Sequence, residues 1–445
     1  MSCDHPTLIG DLCLICGAKV DIDKEDYVRN TAVDESGLAI SASSTNAHLS
    51  SSQILEKLHE DRKLILILDI DHTMLHAQTW SRLPQIAFDN KATIHHHNLE
   101  RYSIYEEGKC VYGKSVDSFD DDRVVHGLRL GPATYSCIVK LRPGLVNFLK
   151  SLEPICDFYI VTMGVLDYGK AVARLLNLAL GSSATDGPFK LDRIRSRYDY
   201  EQFFSHKDLN SLFSFDDDCV IVLDDDSSVW QFKTPLLKVE PFVWWGRHMK
   251  HESETDPEEP PTKKKPLKTA AQINPPSTRA PFPLDPTLIN KYGKQCFHPL
   301  SPRNRPIADD LIFTQQLKAF QKIIMNSQEQ YYLDRDIGLD AGVSAILDIC
   351  RGSILRGCKI LLPKRLYVHE NSSRDLYECD MLITQFGGTP VHSVDAEYTH
   401  VLTLHGSEGS KLVADKGKAK LVHVSWLFHS CWTFHRKDEA DYAVL

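Results

Sequence analysis

Leu64-Ile65-Leu66-Ile67-Leu68-Asp69-Ile70-Asp71-His72-Thr73 is the stretch on which the fold turns. Five aliphatic residues in a row, without polar alternation, predict a strand buried on both faces, as in the centre of a parallel sheet. The run stops at Asp69, and a second acid follows at Asp71. Open parallel sheets place function just beyond the carboxyl ends of their strands. Two carboxylates there can share a cation and still do different work. Asp69 is placed to attack phosphorus and form an aspartyl-phosphate. Asp71 can protonate the departing oxygen and then activate water. Like charges this close repel, so Mg²⁺ is the natural partner. The bland alternative is an acidic turn after a strand.

Further strand ends repeat the pattern. Phe158–Val161 is apolar and leads into Thr162, whose hydroxyl can bind a phosphate oxygen. Val220–Leu223 leads into Asp224 and Asp225, which can complete a metal shell. Between them lies Lys207, whose ammonium can balance a phosphoaspartate. Helical periods separate the strands. One runs from Pro143-Gly144-Leu145 to Leu152, with proline in its first turn. Another is marked by Tyr168, Val172, Leu175, Leu176 and Ala179. Strands alternating with helices predict an α/β domain with a mostly parallel sheet over residues 56–249, self-contained at its C-terminal end. Thr79–Tyr135 is too long for a plain loop and strand-like at Arg101–Tyr105 and Lys109–Tyr112, so an insertion is expected at about 79–135.

At the start of the chain, Cys3-x-His5 and Cys13-x-x-Cys16-Gly17 offer four ligands of the kinds that close a structural zinc tetrahedron over residues 1–20. The alternative is unrelated thiols near a terminus. Residues 21–55, polar and rich in Ser and Thr, read as a flexible connector. Residues 250–306 hold 12 of the 22 prolines and read as a linker, with a Lys263-Lys264-Lys265 run that could serve nuclear import. Phe313, Leu317, Phe320 and Ile324 predict an amphipathic helix over 307–335, and 350–445 regains globular composition. His95-His96-His97 cannot point three adjacent side chains at one ion, so no metal is expected there.

The 445 residues carry 51 Lys+Arg against 60 Asp+Glu, a net charge of −9, and are 42% hydrophobic. The length suits two or three domains with a sizeable core. The acidic balance argues against direct nucleic-acid binding, and no apolar run approaches a membrane span. The N-terminus lacks the basic and apolar regions of a secretory signal. The 12 cysteines are mostly scattered, which suits a reducing compartment.

These motifs together resemble the haloacid dehalogenase phosphatases. More narrowly, they resemble the TFIIF-associated phosphatases of the RNA polymerase II C-terminal domain. Lys140-Leu-Arg-Pro-Gly144, Tyr159-Ile-Val-Thr-Met-Gly164, Arg193-Ile-Arg-Ser-Arg197 and Leu223-Asp-Asp-Asp-Ser-Ser-Val-Trp230 extend the likeness, and Gly387-Gly388 with Trp426 match a BRCT domain. The resemblance implies a haloacid dehalogenase-like parallel sheet with helices on both faces and an insertion, followed by a small α/β BRCT domain. It implies Mg²⁺-dependent hydrolysis of phosphoserine in polymerase heptads, in the nucleus. Asp69 would be nucleophile and Asp71 acid/base, with Thr162 and Lys207 on the phosphate. Asp69, the Asp71 carbonyl and Asp225 would hold the metal with Asp224 beside them, and Arg142 would line the substrate cleft. The sequence ends at Leu445, right after the BRCT-like region, so the contact that animal and fungal members make with TFIIF through an acidic tail is not expected. Leu362-Pro363-Lys364 stands where BRCT phosphate pockets carry a Ser/Thr-Gly pair, so a structural or docking role, with the transcription machinery as a candidate partner, is expected of that domain. Two alternatives stay open: the same chemistry on another nuclear phosphoprotein, and a non-catalytic docking scaffold.

Overall fold

The computed structural model describes residues 3–9, 11–21, 27–33, 39–79, 101–112, 119, 124–130, 135–196, 207, 209, 217–230, 235–242, 308–339, 341–362, 372–403 and 419–443. Residues 250–306 with their lysine run, His95-His96-His97 and Arg197 lie outside them. The chain opens with an antiparallel sheet of β1 (Thr7–Ile9), β2 (Leu12–Cys13), β3 (Tyr27–Val33) and β4 (Ala39–Ser43), ordered β2-β1-β4-β3. The connector expected over 21–55 is therefore corrected. β4 pairs with β1, Leu8 opposite Ser41, and with β3, Val28 opposite Ala42. Such a ladder joins backbone to backbone, so a Ser-rich composition does not prevent it. α1 (Ser44–Glu60) follows directly and sets Ile54, Leu55 and Leu58 against the core.

β5 (Leu64–Leu68) is buried at all five positions. After it, β6 (Leu75–Thr79), β7 (Arg101–Glu106), β8 (Lys109–Tyr112), β9 (Val124–Leu130) and β10 (Tyr135–Leu141) build a second sheet, ordered β6-β10-β9-β7-β8. That sheet starts nearer β5 and ends later than the expected insertion, because β6 pairs with β10 from Leu75–Leu141 to Thr79–Cys137. The chain then returns through α2 (Leu145–Leu152), β11 (Cys156–Val161), α3 (Leu166–Leu180), β12 (Ile194–Arg195), β13 (Val220–Asp224) and β14 (Leu236–Lys238). The central sheet runs β12-β11-β5-β13-β14 with every pairing parallel. Leu68 lies opposite both Ile160 and Leu223, so Asp69, Thr162 and Asp224 emerge together at one edge.

The boundary drawn at 249 is also corrected. α4 (Ala308–Asp336) buries Leu317, Phe320, Ile324, Tyr331 and Tyr332 in the same core as β5, and α5 (Val343–Gly352) adds Val343, Ile346 and Leu347. The Tyr332 hydroxyl donates to the carbonyls of Leu58 (2.9 Å) and Lys63 (2.6 Å), at the entry to β5. Gln316 accepts from the Glu240 N–H at 2.9 Å, just past β14. The apolar stripe of α4 is thus part of the core around β5, on the far side of the proline-rich segment.

A separate apolar cluster begins at Leu355. Its sheet consists of β15 (Lys359–Leu361), β16 (Thr389–Val391), β17 (His400–Thr403) and β18 (Lys420–His423), parallel and ordered β16-β15-β17-β18. α6 (Ser372–Gln385) precedes β16, and α7 (Ser425–Trp432) follows β18. Trp426 is fully buried and stacks on His400 at 4.7 Å. Gly387 turns the chain at φ +84°, where a Cβ would collide with the Gly352 carbonyl. Only glycine fits that approach.

A chain ended near Lys250 is expected to lose cooperative unfolding, and its activity on any substrate with it. Phe320→Ala is expected to destabilise the full chain by about 3–5 kcal/mol in urea unfolding.

Candidate active site

The turn after β5 is built by backbone bonds. Asp69 N–H donates to Leu223 O (3.0 Å), Met74 and Leu75 N–H both donate to Ile70 O (3.0 and 3.2 Å), and His72 N–H donates to Leu75 O (2.8 Å). His72 takes φ +62°, the left-handed region that side chains other than glycine's disfavour. Arg142 offsets that strain. It is fully buried; its Nε donates to Thr73 O (2.6 Å) and its Nη2 to His72 O (2.8 Å) and Glu240 O (2.5 Å). Its guanidinium carbon also lies 5.0 Å from the Phe313 ring of α4. The expectation that Arg142 lines the substrate cleft is therefore corrected. Its planar fork is committed to backbone carbonyls, and it holds the turn that presents the acids.

Lys207 joins two strand ends. Its ammonium lies 2.6 Å from Asp69 Oδ1 and 2.6 Å from Asp224 Oδ2, with side chains only 2%, 9% and 2% exposed. Asp224 also accepts from Trp230 Nε1 (2.8 Å) and from the Asp226 N–H (2.8 Å). Thr73 Oγ1 accepts from the Asp225 N–H (3.0 Å) and donates to Asp225 Oδ1 (3.3 Å). Asp71 Oδ1 accepts from the Tyr168 hydroxyl at 2.8 Å. Thr162, fully buried at the end of β11, donates its N–H to Arg195 O (2.9 Å) and accepts at Oγ1 from Gly164 N–H (3.0 Å).

Burial pulls the Lys207 ammonium down, but Asp224 and Asp69 outweigh it, so Lys207 stays protonated. Burial pushes Asp69 well up against the opposing pull of Lys207, and raises Asp71 against its bond from Tyr168. Burial also lifts Asp225 to about 6. Four carboxylates around one ammonium leave excess negative charge in a poorly solvated place, which a divalent cation would compensate. The donors suit a hard cation: oxygens of Asp69, Asp224 and Asp225 all lie within 4.8 Å of one another. Asp224 already serves three donors, so Asp69 and Asp225 are the more open ligands. The Asp71 side chain stands outside that group, which leaves its carbonyl as the ligand the resemblance implies.

A second cluster sits on the N-terminal sheet. Cys3 Sγ is 3.8 Å from Cys13 Sγ, Cys16 Sγ is 3.2 Å from His5 Nδ1, and the four ligand atoms lie within 4.8 Å of one another. The Ile15 N–H points at Cys13 Sγ (3.4 Å), and Gly17 closes the turn at φ +71°. The Cys16 backbone N–H, ahead of the other contacts, lowers the Cys13 thiol to about 6, which favours the ligating thiolate.

Sequence reasoning missed Tyr168 and Trp230 as site residues. Tyr168 falls in the apolar period of α3 and reads as core, and Trp230 was only part of a motif. The signal available was chemical: a buried Tyr or Trp needs a partner for its polar hydrogen, and here both partners are site carboxylates.

Arg142→Gln is expected to destabilise the protein by about 2–4 kcal/mol and to lower turnover on small and long substrates alike. A cleft contact would instead raise KM on the long substrate alone, so kinetics on both sizes beside a melting curve decide between the two roles.

A family profile for NLI interacting factor-like phosphatases matches residues 64–255, the segment that carries this geometry. An RNA polymerase II C-terminal domain phosphatase of Saccharomyces cerevisiae is 23% identical, aligning with 100% of this chain and 65% of its own length. RNA polymerase II C-terminal domain phosphatase-like 4 of Arabidopsis thaliana is 21% identical across 99% of this chain and 82% of its own. This chain spans about two thirds of the yeast relative, and 55% of the Caenorhabditis elegans one. The solved fission yeast RNA polymerase II CTD phosphatase Fcp1 covers 89% of this chain and 100% of its own at TM-score 0.57 and 21% identity, which shows a shared fold. Residues 64–255 match the NLI interacting factor-like phosphatase profile, and the chain as a whole is similar to RNA polymerase II C-terminal domain phosphatases in sequence and in fold.

Proposed function

We propose that this protein is a Mg²⁺-dependent phosphoserine phosphatase acting on the C-terminal heptads of RNA polymerase II. The observation that carries the reading is Lys207 bridging Asp69 and Asp224 at adjacent strand ends, with Asp71 and Asp225 beside them. The names of its relatives supply the substrate class. An Asp69 oxygen forms a bond to phosphorus as the P–O bond to serine breaks, and Asp71 gives its proton to the serine oxygen. Lys207 and Thr162 hold the phosphoryl oxygens. Asp71 then takes a proton from water, which attacks phosphorus and frees Asp69 and inorganic phosphate. Bound at Asp69, Asp225 and the Asp71 carbonyl, Mg²⁺ would neutralise the phosphoryl group and align it with the nucleophile.

The C-terminal parallel-sheet unit serves as a docking module for long substrate or for transcription machinery, and the site of action is nuclear. The Cys3/His5/Cys13/Cys16 cluster is a structural zinc site, closed by four protein ligands with no open position.

Asp69→Asn is expected to abolish turnover and acid-labile phosphoenzyme; wild-type turnover in a clean preparation sinks the mechanism. Heptad peptides phosphorylated at single positions test the substrate. Protein purified without chelator is expected to carry about one zinc per chain, lost in Cys13→Ser while most Mg²⁺-dependent activity survives. Metal analysis without zinc would overturn that assignment.

A further inference from the structure

We propose that Tyr168 is a positioning residue for general acid–base catalysis: its hydroxyl, bonded to Asp71 Oδ1, fixes the carboxylate so that the other oxygen exchanges the proton with the leaving group and then with water. The inference rests on the phosphatase reading above. The bond is 2.8 Å long, and Tyr168 is 8% exposed. The terminal torsion of an aspartate is broad and nearly two-fold, so an acid on a tight turn needs a partner to select one orientation. A hydroxyl bonded to a carboxylate is a strong selector.

The surroundings leave the tyrosine little freedom. It lies in the first turn of α3, just beyond the β11 end that carries Thr162. A Cβ on Gly164 would come within 2.8 Å of the Tyr168 ring and 3.2 Å of Thr162 Oγ1. A Cβ on Gly169, the next residue, would meet Ile194 at 2.9 Å. Gly164 therefore leaves room for the Tyr168 ring, and Gly169 lets the start of α3 pack against Ile194 of β12. The end of β11 and the start of α3 just after it set the Thr162 hydroxyl and the partner of the acid within six residues of each other.

Tyr168→Phe keeps the ring and removes only the hydroxyl. Two substrates separate its effects. Serine leaves as a poor alkoxide and needs the Asp71 proton, whereas the phenolate of p-nitrophenyl phosphate does not. Both phosphoenzymes need Asp71 as base for hydrolysis. On a phosphoserine heptad peptide, kcat is expected to fall about ten- to hundred-fold, with KM within about two-fold and the melting temperature unchanged. On p-nitrophenyl phosphate, a rapid burst of about one equivalent of nitrophenolate is expected ahead of a slowed steady state, because phosphoenzyme formation keeps its rate while its hydrolysis slows. Equal loss in the burst and on the peptide, or no loss on either, overturns the assignment. Failure of the underlying reading has a different signature: wild-type protein with Mg²⁺ forms no acid-labile phosphoenzyme, which overturns both.

Discussion

The Lys207 ammonium, held 2.6 Å from carboxylates at the ends of two neighbouring strands, is the interaction on which the site depends. Desolvating that much charge is costly, and a buried ion pair gains little net stability over an apolar substitute. Losing the lysine would be worse, since Asp69 and Asp224 would then face each other with no cation between them; removing one partner of a buried pair costs about 3–5 kcal/mol. The arrangement is best explained by chemistry. It keeps the Asp69 carboxylate fixed, and it places a positive charge where the proposed phosphoryl group would bring negative charge. The sheet order makes it feasible, because β5 and β13 are adjacent and in register, so one ammonium reaches both ends. Trp230 adds a bond to Asp224 and sets its ring 5.7 Å from the Lys207 nitrogen, which fixes the far side of the pair.

That charge cluster needs a rigid turn, and the turn draws its rigidity from distant chain. Arg142, at the end of the second sheet, bonds the carbonyls of His72 and Thr73, and packs its guanidinium near Phe313 of α4. Gln316, one turn further along α4, bonds the chain just past β14, and Tyr332 closes the entry to β5. Both ends of the catalytic strand's neighbourhood are therefore held by one helix of 29 residues. A change on α4 that moved Phe313 or Tyr332 would reach the acids through Arg142 or through the start of β5, with no contact to substrate.

Much of this was legible in the residues because burial and charge leave direct traces. Leu64–Leu68 followed by acids announced a central strand and its functional end. Thr162, Asp224 and Asp225 repeated that signal at strand ends the register then aligned. Cys3, His5, Cys13 and Cys16 advertised ligand chemistry by type and spacing. What escaped lay in long-range packing. Nothing in Lys140-Leu-Arg142-Pro tells whether an arginine faces substrate or clamps a turn 70 residues away. Ser41 and its neighbours looked like a connector because composition does not register a backbone ladder. Phe313, Leu317, Phe320 and Ile324 revealed a face to be buried, but not that its partner was the catalytic core.

The split of that core around a proline-rich stretch follows from how loop entropy scales. Closing a loop costs only about 0.6 kcal/mol more for each doubling of its length. Burying one aromatic side chain contributes about 1.5–3 kcal/mol, and α4 buries Phe313, Phe320, Tyr331 and Tyr332, each less than a tenth exposed. The helix can therefore return to the core across a long intervening segment, and that segment can vary in length with little effect on stability. The same balance forbids cutting the chain there. A break before α4 leaves the loop cost behind but also removes the aromatic contacts, the Arg142–Phe313 packing and the Tyr332 bonds, and so exposes the strand that carries Asp69. A proline-rich composition marks where the sequence can stretch; it does not mark where a folded unit ends.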